Sequence, residues 1–278
     1  MLTGPFLPEK WLGATNNFYN SKIVLLGLGF DTTASNKAGA RFAPAQIRLE
    51  SMGLEEFSPL FGKELGDVKF FDAGDLELPF GNAARALEII KRNTNEILSC
   101  GKKILGVGGE HLVTLGEVSS YAKKFNNLAI VQFDAHADLR DEYLGESLTH
   151  AGVMKKIADI TGFENILQVG IRSGLKEEFE LMEKHSTLAH DFSDLERFKD
   201  KEIFVTIDLD VLDPSIMSGT GTPEAGGLTY KELEGWIYAL RDYNIVGADV
   251  VELSPDYDPS KSSTACACKV IREMLMIL

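Results

Sequence analysis

Short apolar runs alternate with longer amphipathic stretches along the whole of this 278-residue chain. Most of the runs are rich in β-branched residues and are bounded by turn-forming residues, a pattern typical of strands that are buried on both faces. The alternation predicts a sheet of about eight strands. The clearest runs occupy residues 23–27, 67–73, 103–107, 128–133, 165–171, 201–207 and 244–253.

The stretches between the runs predict helices, and several of these helices have recognisable first turns. Pro44 is placed in the first turn of a helix that continues through Ala45, and Asn82 and Thr229 are suited to cap two later helices. The later helices are predicted at residues 83–99, 114–125, 151–160, 176–184, 229–240 and 262–278.

Regular alternation of strands and helices predicts an α/β protein. The expected architecture is three-layered, α/β/α, with a mostly parallel sheet of about eight strands under helices on both faces. No linker, internal repeat or low-complexity segment divides residues 1–278, so these residues are expected to form a single domain. Residues 1–20 are rich in Gly, Pro, Asn and aromatic residues, and they predict an N-terminal arm that packs on the surface.

Two of the predicted strands end in clusters of candidate metal ligands. The fourth run passes directly into Asp134, His136 and Asp138, and the sixth run passes into Asp208 and Asp210. In an open parallel sheet, the carboxyl ends of the strands form the edge at which ligands bind. Carboxylates together with imidazoles suit Mn²⁺, Zn²⁺ or Fe²⁺ better than an ion that prefers thiolates.

Charge repulsion strengthens the prediction of a metal site. The two clusters contain five carboxylates when Asp213 is included, and such groups repel one another unless cations compensate them. No Lys or Arg is interleaved at these positions. Two divalent ions would supply about four positive charges, which is the physical argument for a two-metal site.

A third predicted strand, at 103–107, ends close to another candidate ligand. Gly108 and Gly109 follow it and would allow the backbone to approach a ligand closely, and His111 comes shortly after them. The residues alone leave both a structural and a metal-binding role open for this histidine. Further along the chain, a loop of small residues that contains Thr222 is suited to shaping a pocket.

Composition narrows the classes of partner. The formal net charge of −14 argues against nucleic acid and anionic membranes and favours a small cationic substrate. Three cysteines without framework spacing indicate reduced thiols, and Cys266 and Cys268 are expected to fill the core. Because the chain has neither a secretory leader nor an apolar run long enough to span a membrane, we expect a cytoplasmic protein.

Two other functions account for part of the acidic pattern. Asp208 and Asp210 after an apolar strand also resemble the nucleophile motif of phosphatases that form an aspartyl-phosphate, but this interpretation leaves the first cluster without a role. A non-enzymatic calcium-binding module would use the same two residues with Asp213. The twelfth position of that window is Gly219 rather than Glu, and calcium has little use for histidine ligands.

Four segments, taken together, resemble the signature segments of the ureohydrolase family, which includes the arginases and agmatinases. The resemblance implies an arginase/deacetylase-like fold and a binuclear enzyme with two Mn²⁺ ions per subunit that hydrolyses a guanidinium group to urea and an amine. It also implies a homo-oligomer, either a trimer or a hexamer. The segments are Gly108–His111, Phe133–Asp138, Asp208–Pro214 and Gly219–Pro223.

The resemblance also implies a role for each site residue. It implies that His111 and Asp138 bind one ion, that His136 and Asp210 bind the other, and that Asp134 and Asp208 bridge the two. Asp138 would pass a proton to the leaving amine. It further implies that His150 exchanges protons with solvent and that Glu252 binds the guanidinium. Thr222 and His150 would make further contacts with the substrate. Glu110 replaces an Asp of many relatives and is expected to lie outside the ligand set.

Within the family, the chain is more similar to agmatinases than to arginases, so agmatine is the expected substrate. Arginases bind the α-carboxylate of their substrate through the loop that corresponds to residues 139–149. Here that loop contains Asp141, Glu142 and Glu146, which would repel a carboxylate, although Arg140 and Ser147 would be able to bind one. Arginase, guanidinobutyrase and formiminoglutamase activities remain alternatives.

Overall fold

A parallel sheet of seven strands forms the centre of the protein. The structure is a computed structural model and describes residues 10–278, so the first nine residues of the predicted N-terminal arm lie outside it. The sheet strands are β1 (Ile23–Leu28), β4 (Phe70–Asp75), β5 (Lys103–Gly108), β6 (Leu128–Phe133), β7 (Ile166–Val169), β8 (Glu202–Asp208) and β9 (Asn244–Val251). Two further short strands, β2 (Phe57–Ser58) and β3 (Lys63–Glu64), form a separate antiparallel pair that the sequence did not predict.

The strand order is β4-β1-β5-β9-β8-β6-β7, and each neighbouring pair is parallel. The predicted parallel α/β sheet is confirmed, with seven strands in place of about eight. Each run predicted from the sequence corresponds to one strand of this sheet. The last strand in the chain, β9, lies in the middle of the sheet between β5 and β8.

Seven α-helices connect and cover the strands. Asn82 caps α2 by accepting a hydrogen bond from the main-chain N–H of Arg85, and Thr229 caps α6, as the sequence predicted. Pro44 lies in the first turn of α1. The helices are α1 (Ala43–Ser51), α2 (Ala83–Ser99), α3 (Val113–Lys124), α4 (Val153–Thr161), α5 (Lys176–His185), α6 (Tyr230–Leu240) and α7 (Ser262–Ile277).

Each face of the sheet has its own hydrophobic core. On one face, α1, α6 and α7 contribute buried residues such as Ile47, Trp236 and Met274. On the other face, α2 and α3 contribute residues such as Ile90 and Val118, together with α4. The predicted three-layer arrangement is therefore confirmed. Because both faces are covered, only the strand ends of this sheet are accessible for chemistry.

A buried ion pair ties the N-terminal segment to the sheet. The carboxylate of Asp72 on β4 accepts hydrogen bonds from Arg48 Nε at 2.8 Å and Arg48 Nη2 at 2.9 Å. The same carboxylate accepts a hydrogen bond from the main-chain N–H of Trp11, whose side chain is buried in the core. The described part of the predicted arm thus contributes to the core as well as to the surface.

The structure tests two further predictions, namely the state of the cysteines and the absence of a membrane-spanning helix. Cys268 is buried, Cys266 is partly buried and Cys100 is exposed, and all three are free thiols. Within residues 10–278, no helix combines the length and the apolar character needed to cross a membrane.

We predict that Asp72→Asn lowers the free energy of unfolding by about 1.5–3 kcal/mol, because it removes the buried one of the two carboxylates that pair with the Arg48 guanidinium and leaves only the partly exposed Asp75. Urea unfolding at neutral pH measures this change. Asp159→Asn is the matched control, since it removes the partner of Lys155 on the exposed side of α4, and it should cost less than about 1 kcal/mol. Equal losses in the two variants would contradict this prediction.

Candidate metal centre

The candidate ligands lie at the carboxyl edge of the four central strands. Asp134 follows β6 directly, Asp208 is the last residue of β8, His111 lies three residues beyond β5, and Glu252 follows β9. These strands are neighbours in the order β5-β9-β8-β6. Segments that are far apart in the sequence therefore meet at one point, where parallel α/β sheets bind ligands.

Two groups of three side chains are each able to hold one metal ion. The first group contains His111, Asp134 and Asp208, and the second contains Asp134, His136 and Asp210. In each group the ligand atoms lie within 4.8 Å of one another. Asp134 belongs to both groups, which is the position that a carboxylate bridging two ions would occupy.

The first group surrounds the Nδ1 atom of His111. This nitrogen is 3.0 Å from Asp134 Oδ2, 3.2 Å from Asp138 Oδ2 and 3.6 Å from Asp208 Oδ2. Asp138 is therefore close enough to act as a further donor to an ion held by this group.

The second group surrounds the Nδ1 atom of His136. This nitrogen is 3.0 Å from Asp210 Oδ2 and 3.5 Å from Asp134 Oδ1. The hydroxyl of Thr222 donates a hydrogen bond to the same Asp210 Oδ2 atom at 3.3 Å. About a quarter of the His136 side chain is exposed, whereas both carboxylates are buried. The second group is thus the more accessible of the two.

Main-chain hydrogen bonds orient three of the carboxylates. Asp134 Oδ1 accepts from the N–H of His136 at 2.6 Å, Asp208 Oδ1 accepts from the N–H of Asp210 at 2.9 Å, and Asp210 Oδ1 accepts from the N–H of Ala135 at 3.0 Å. Each carboxylate keeps its Oδ2 atom directed at a histidine of the two groups. The loops are therefore folded so that a main-chain N–H anchors one oxygen of each residue, while the other oxygen faces a histidine.

Two residues of the centre have a left-handed backbone conformation that side chains rarely adopt. The φ angle is 53° at Asp138 and 66° at Glu252. Such conformations cost about 1–3 kcal/mol each and persist where the surroundings enforce them. Here the carbonyl of Asp138 accepts hydrogen bonds from the first turn of α4, and the N–H of Glu252 donates to the carbonyl of Gly109 at 2.9 Å.

Burial and mutual repulsion make the centre electrostatically unfavourable without cations. Burial, followed by the charge of Asp210, raises the pKa of Asp208 well above its usual value. Burial, followed by the charge of Asp134, raises the pKa of Asp138 to about 6. Burial also opposes ionisation of Asp134, but its close contacts with His111 and His136 hold the pKa of this carboxyl below its usual range. Divalent cations would relieve the repulsion that raises these pKa values.

The hydrogen bonding of His111 fits a metal ligand. Its Nε2 atom is 2.9 Å from the hydroxyl of Thr206. Its buried Nδ1 atom has no partner of hydrogen-bond geometry within residues 10–278, although three carboxylate oxygens surround it. A metal-binding histidine typically has one nitrogen fixed by the protein and the other directed at the ion. The residues present therefore fit a pair of divalent ions with nitrogen and oxygen ligands.

A cavity of about 200 Å³ opens beside the two groups. Glu252 lines it, and its Oε1 atom accepts a hydrogen bond from the main-chain N–H of His111 at 2.8 Å, so that Oε2 remains for a ligand. Burial, followed by the charge of Glu110, raises the pKa of the Glu252 carboxyl well above its usual value. A cation bound in the cavity would stabilise the ionised form of Glu252. The other predicted site residues on the wall of the cavity are His136, Asp138, His150, Asp208 and Thr222.

The segment after β1 contacts His150 through Thr33 and Ser35, and these contacts were not predicted from the sequence. The His150 N–H donates to Thr33 Oγ1 at 3.1 Å, and its Nδ1 atom is 2.9 Å from the carbonyl oxygen of Thr33. Because a carbonyl only accepts, Nδ1 carries the proton and Nε2 is left to accept from Ser35 Oγ at 3.1 Å. Glu110 in turn accepts hydrogen bonds from both the N–H and the hydroxyl of Thr33. Glu110 thus lies outside the two groups of candidate ligands and supports the histidine instead.

The acidic residues of the 139–149 loop do not have the role that the sequence suggested. Asp141, Glu142 and Glu146 are exposed, and none of them lines the central cavity, so the argument that they repel a substrate carboxylate was wrong. Arg140 does line the cavity. Its Nε atom is 3.6 Å from Glu178 Oε2 and its guanidinium lies 4.6 Å from the ring centroid of a neighbouring tyrosine.

The structure also bears on the two other functions considered from the sequence. Asp213 is turned away from the centre, since its carboxylate accepts hydrogen bonds from the N–H groups of Ser215, Gly226 and Gly227. The calcium-binding window is therefore not assembled. Asp208 lies in a group with two other ligands, one of them His111, rather than alone as a phosphatase nucleophile would.

Known proteins provide an independent comparison. The profile of the family described as "Arginase family" matches residues 21–277. A protein named agmatinase from Bacillus anthracis is 47% identical over 269 residues, covering 94% of this chain and 93% of that protein. The agmatinase of Bacillus subtilis is 45% identical, with 91% of this chain and 90% of that protein covered. The crystal structure of the agmatine ureohydrolase of Thermoplasma volcanium superposes with a TM-score of 0.87 at 30% identity, covering 98% of this chain and 94% of that chain.

We predict that Mn²⁺ raises the melting temperature of the metal-stripped protein, because ions that bind only the folded state stabilise it. Each site contributes about 2.7 kcal/mol when free metal is one hundred times its dissociation constant. Calorimetry with metal analysis of the dialysed protein measures the shift and the stoichiometry.

Asp208→Asn should bind fewer ions and show a smaller shift than the parent protein, since Asp208 is a member of the first group. Asp213→Asn is the control, because it makes the same chemical change at an aspartate that lies outside both groups. Two tightly bound ions in Asp208→Asn would remove this residue from the centre.

Proposed function

Because the chain belongs to the arginase family, we propose that it is a binuclear manganese ureohydrolase that hydrolyses agmatine to putrescine and urea. One structural observation carries the proposal. Two three-ligand groups that share Asp134 lie beside a cavity into which the Glu252 carboxylate faces. The agmatinases at 45% and 47% identity over nearly the whole chain support agmatine as the substrate.

The proposed ligand set follows the two groups. His111 and Asp138 would hold one ion, and His136 and Asp210 would hold the other. Asp134 and Asp208 would be shared by both ions, as the family resemblance implies. Imidazole nitrogens and carboxylate oxygens without thiolates suit Mn²⁺, and a pair of such ions supplies water activation near neutral pH and neutralises the buried carboxylates.

Glu252 is the group that binds and orients the substrate. A planar guanidinium matches a carboxylate in shape and charge, so the Oε2 atom of Glu252 is a suitable partner inside the cavity. The hydrogen bond from His111 N–H and the enforced backbone conformation keep this carboxylate in one place. Thr222 lies on the same wall and provides a hydroxyl. Fixed orientation of the substrate relative to the ions lowers the barrier of the reaction.

Two residues move the protons. Asp138 lines the cavity next to the first ligand group, where it is placed to pass a proton to the leaving amine. His150 also lines the cavity, and burial lowers its pKa to about 4. The side chain is therefore neutral at physiological pH, and its unprotonated Nε2 atom accepts a hydrogen bond from Ser35, which lines the same cavity. Exchange of a proton at Nε2 requires this hydrogen bond to open.

The environment of Arg140 supports a substrate without a carboxylate. Arg140 is the cation on the cavity wall that would attract the α-carboxylate of arginine. It is already paired with Glu178, whose carboxylate also accepts hydrogen bonds from the N–H groups of Leu139 and Leu175. A substrate carboxylate would have to displace Glu178 from this ion pair, whereas the amine of agmatine would not.

The oligomeric state and the location in the cell stay predictions. The proposal includes a homo-oligomer, a trimer or a hexamer, in the cytoplasm, as the family resemblance implies. Analytical ultracentrifugation of the manganese-loaded protein tests the oligomeric state.

We predict that kcat/KM for agmatine exceeds that for arginine by at least about 30-fold, since a buried charge without a partner costs about 2–5 kcal/mol. Urea release from agmatine, arginine, guanidinobutyrate and formiminoglutamate, measured with saturating manganese, provides the comparison. A ratio at or below one would contradict agmatine specificity and leave the ureohydrolase assignment intact.

His150→Ala should lower turnover by about 10²- to 10⁴-fold and keep the metal content, because the residue acts in proton transfer rather than in metal binding. Added imidazole should restore part of the turnover. His190→Ala is the control, since His190 is an exposed histidine outside the cavity. Loss of an ion from His150→Ala would show that the residue is a ligand.

A further inference from the structure

A second pair of buried carboxyl groups lies outside the ligand groups. Glu117 on α3 and Asp249 on β9 are both fully buried, and their carboxyl groups are within hydrogen-bonding reach of each other. Neither residue belongs to the two candidate ligand groups or to the wall of the cavity. The proposed reaction therefore does not account for them.

Glu117 has no cation beside it to balance a negative charge. Within residues 10–278, Asp249 is the only charged group that shifts the pKa of the Glu117 carboxyl. Both carboxyl oxygens of Glu117, and Oδ1 of Asp249, lack a hydrogen-bond donor in the same residues. Two adjacent buried carboxylates of this kind do not both ionise, and the usual solution is one shared proton.

The backbone makes room for the pair at a specific glycine. A Cβ atom at Gly106 on β5 would lie 2.5 Å from Glu117 Oε2 and 3.0 Å from the Cβ of Asp249. Gly106 is also the residue that pairs with Asp249 in the sheet register. The close packing of both side chains against β5 thus requires the absence of a side chain at this position.

Two hydroxyls connect the pair to the metal centre. Thr114 Oγ1 donates a hydrogen bond to Asp249 Oδ2 at 2.7 Å, and Thr114 Oγ1 is 3.4 Å from Thr206 Oγ1. The hydroxyl of Thr206 is in turn 2.9 Å from Nε2 of His111. The chain of contacts from Glu117 therefore ends on the nitrogen that fixes the orientation of this histidine.

We propose that Glu117 is a neutral carboxylic acid that donates its proton to Asp249, and that the resulting pair is a positioning device for His111. In this arrangement the Glu117 O–H donates to Asp249 Oδ1, and Asp249 remains a carboxylate that accepts from Thr114. The fixed hydroxyls receive the Nε2 proton of His111, so that its Nδ1 atom faces the ions. The positioning role rests on the proposed assignment of His111 as a ligand, whereas the shared proton does not.

The electrostatics of the surroundings agree with this assignment. Burial, followed by the charge of Asp249, raises the pKa of Glu117 well above its usual value. Burial also raises the pKa of Asp249, but the nearby His111 and the hydrogen bond from Thr114 favour its ionised form. Tyr121, on the same helix as Glu117, stays neutral because burial raises its pKa further. The proton therefore belongs on Glu117.

A neutral Glu117 makes stability depend on pH in a defined direction. The unfolded chain releases this proton above about pH 4.3, whereas the folded protein keeps it, so the contribution of Glu117 to stability is lost as pH rises. Glu117→Gln removes that loss. Its melting temperature relative to the parent protein should rise by about 2–4 °C per pH unit between pH 5 and pH 8.

The control for this experiment is Glu96→Gln, which makes the same chemical change at an exposed position of α2 and should show no such trend. Infrared difference spectra of the manganese-loaded proteins at pH 8 provide a second readout. The C=O stretching band of a protonated carboxyl should be present in the parent protein and absent from Glu117→Gln.

The positioning role is tested by manganese affinity in calorimetric titrations with Mn²⁺ alone. Thr114→Val and Glu117→Leu break the chain of contacts and should weaken Mn²⁺ binding by about 10- to 100-fold. Glu117→Gln should restore near-parental affinity, because its amide still donates to Asp249.

Each outcome decides one part of the proposal. A pH-independent difference between Glu117→Gln and the parent, with no protonated-carboxyl band, would overturn the shared proton. Unchanged Mn²⁺ affinity in Thr114→Val would overturn the positioning role even if the shared proton is present. If the parent protein binds no Mn²⁺, the proposed metal centre fails, while the pH and infrared experiments still decide the protonation of Glu117.

Discussion

Repulsion among buried carboxylates at one edge of the sheet is the constraint on which the rest of the structure depends. Four parallel strands end at the same place, and each delivers acidic or imidazole groups to it. Main-chain N–H groups fix one oxygen of Asp134, Asp208 and Asp210, which keeps the remaining oxygens from relaxing apart. The fold thus holds together negative charges that only cations can balance. The same strands and loops that form the sheet also position the candidate ligands.

Residues outside the ligand groups hold the side chains of the centre in place through hydrogen bonds. His111 is held by Thr206, and His150 is held by Thr33, which Glu110 supports in turn. Arg172 connects the loops around the centre by donating its guanidinium hydrogen bonds to main-chain carbonyls alone. Its acceptors are Gly170, Asp210, Val211, Glu224 and Ala225. These contacts convert mobile loops into a fixed arrangement of ligand atoms, which is what binding of metal ions and catalysis both require.

The strands of the sheet, the helices and the residues of the candidate ligand groups could be predicted from the sequence, because each of these features has a local sequence pattern. Apolar runs predicted the strands, and ligand residues stood directly after them. Strand order has no such signature, so the position of β9 between β5 and β8 was not predicted. The contacts of Ser35 with His150 and of Arg140 with Glu178 were missed for the same reason, since each joins segments whose separation gives no pattern. The prediction that the acidic residues of the 139–149 loop face the substrate was wrong, because the sequence shows which side chains are charged but not in which direction they point.

The central position of β9 has a consequence for how the protein folds. Residues 244–251 follow the other six strands of the sheet in the chain, yet they fill the gap between two strands that end at Gly108 and Asp208. Until they are in place, both neighbouring strands have an unpaired edge, and such edges are prone to pair with other chains. Closing the gap requires contacts across a large sequence separation, which is a slow step. Because Glu252 follows this strand immediately, the carboxylate proposed to bind the substrate joins the three earlier segments with candidate ligands in the same step that completes the sheet.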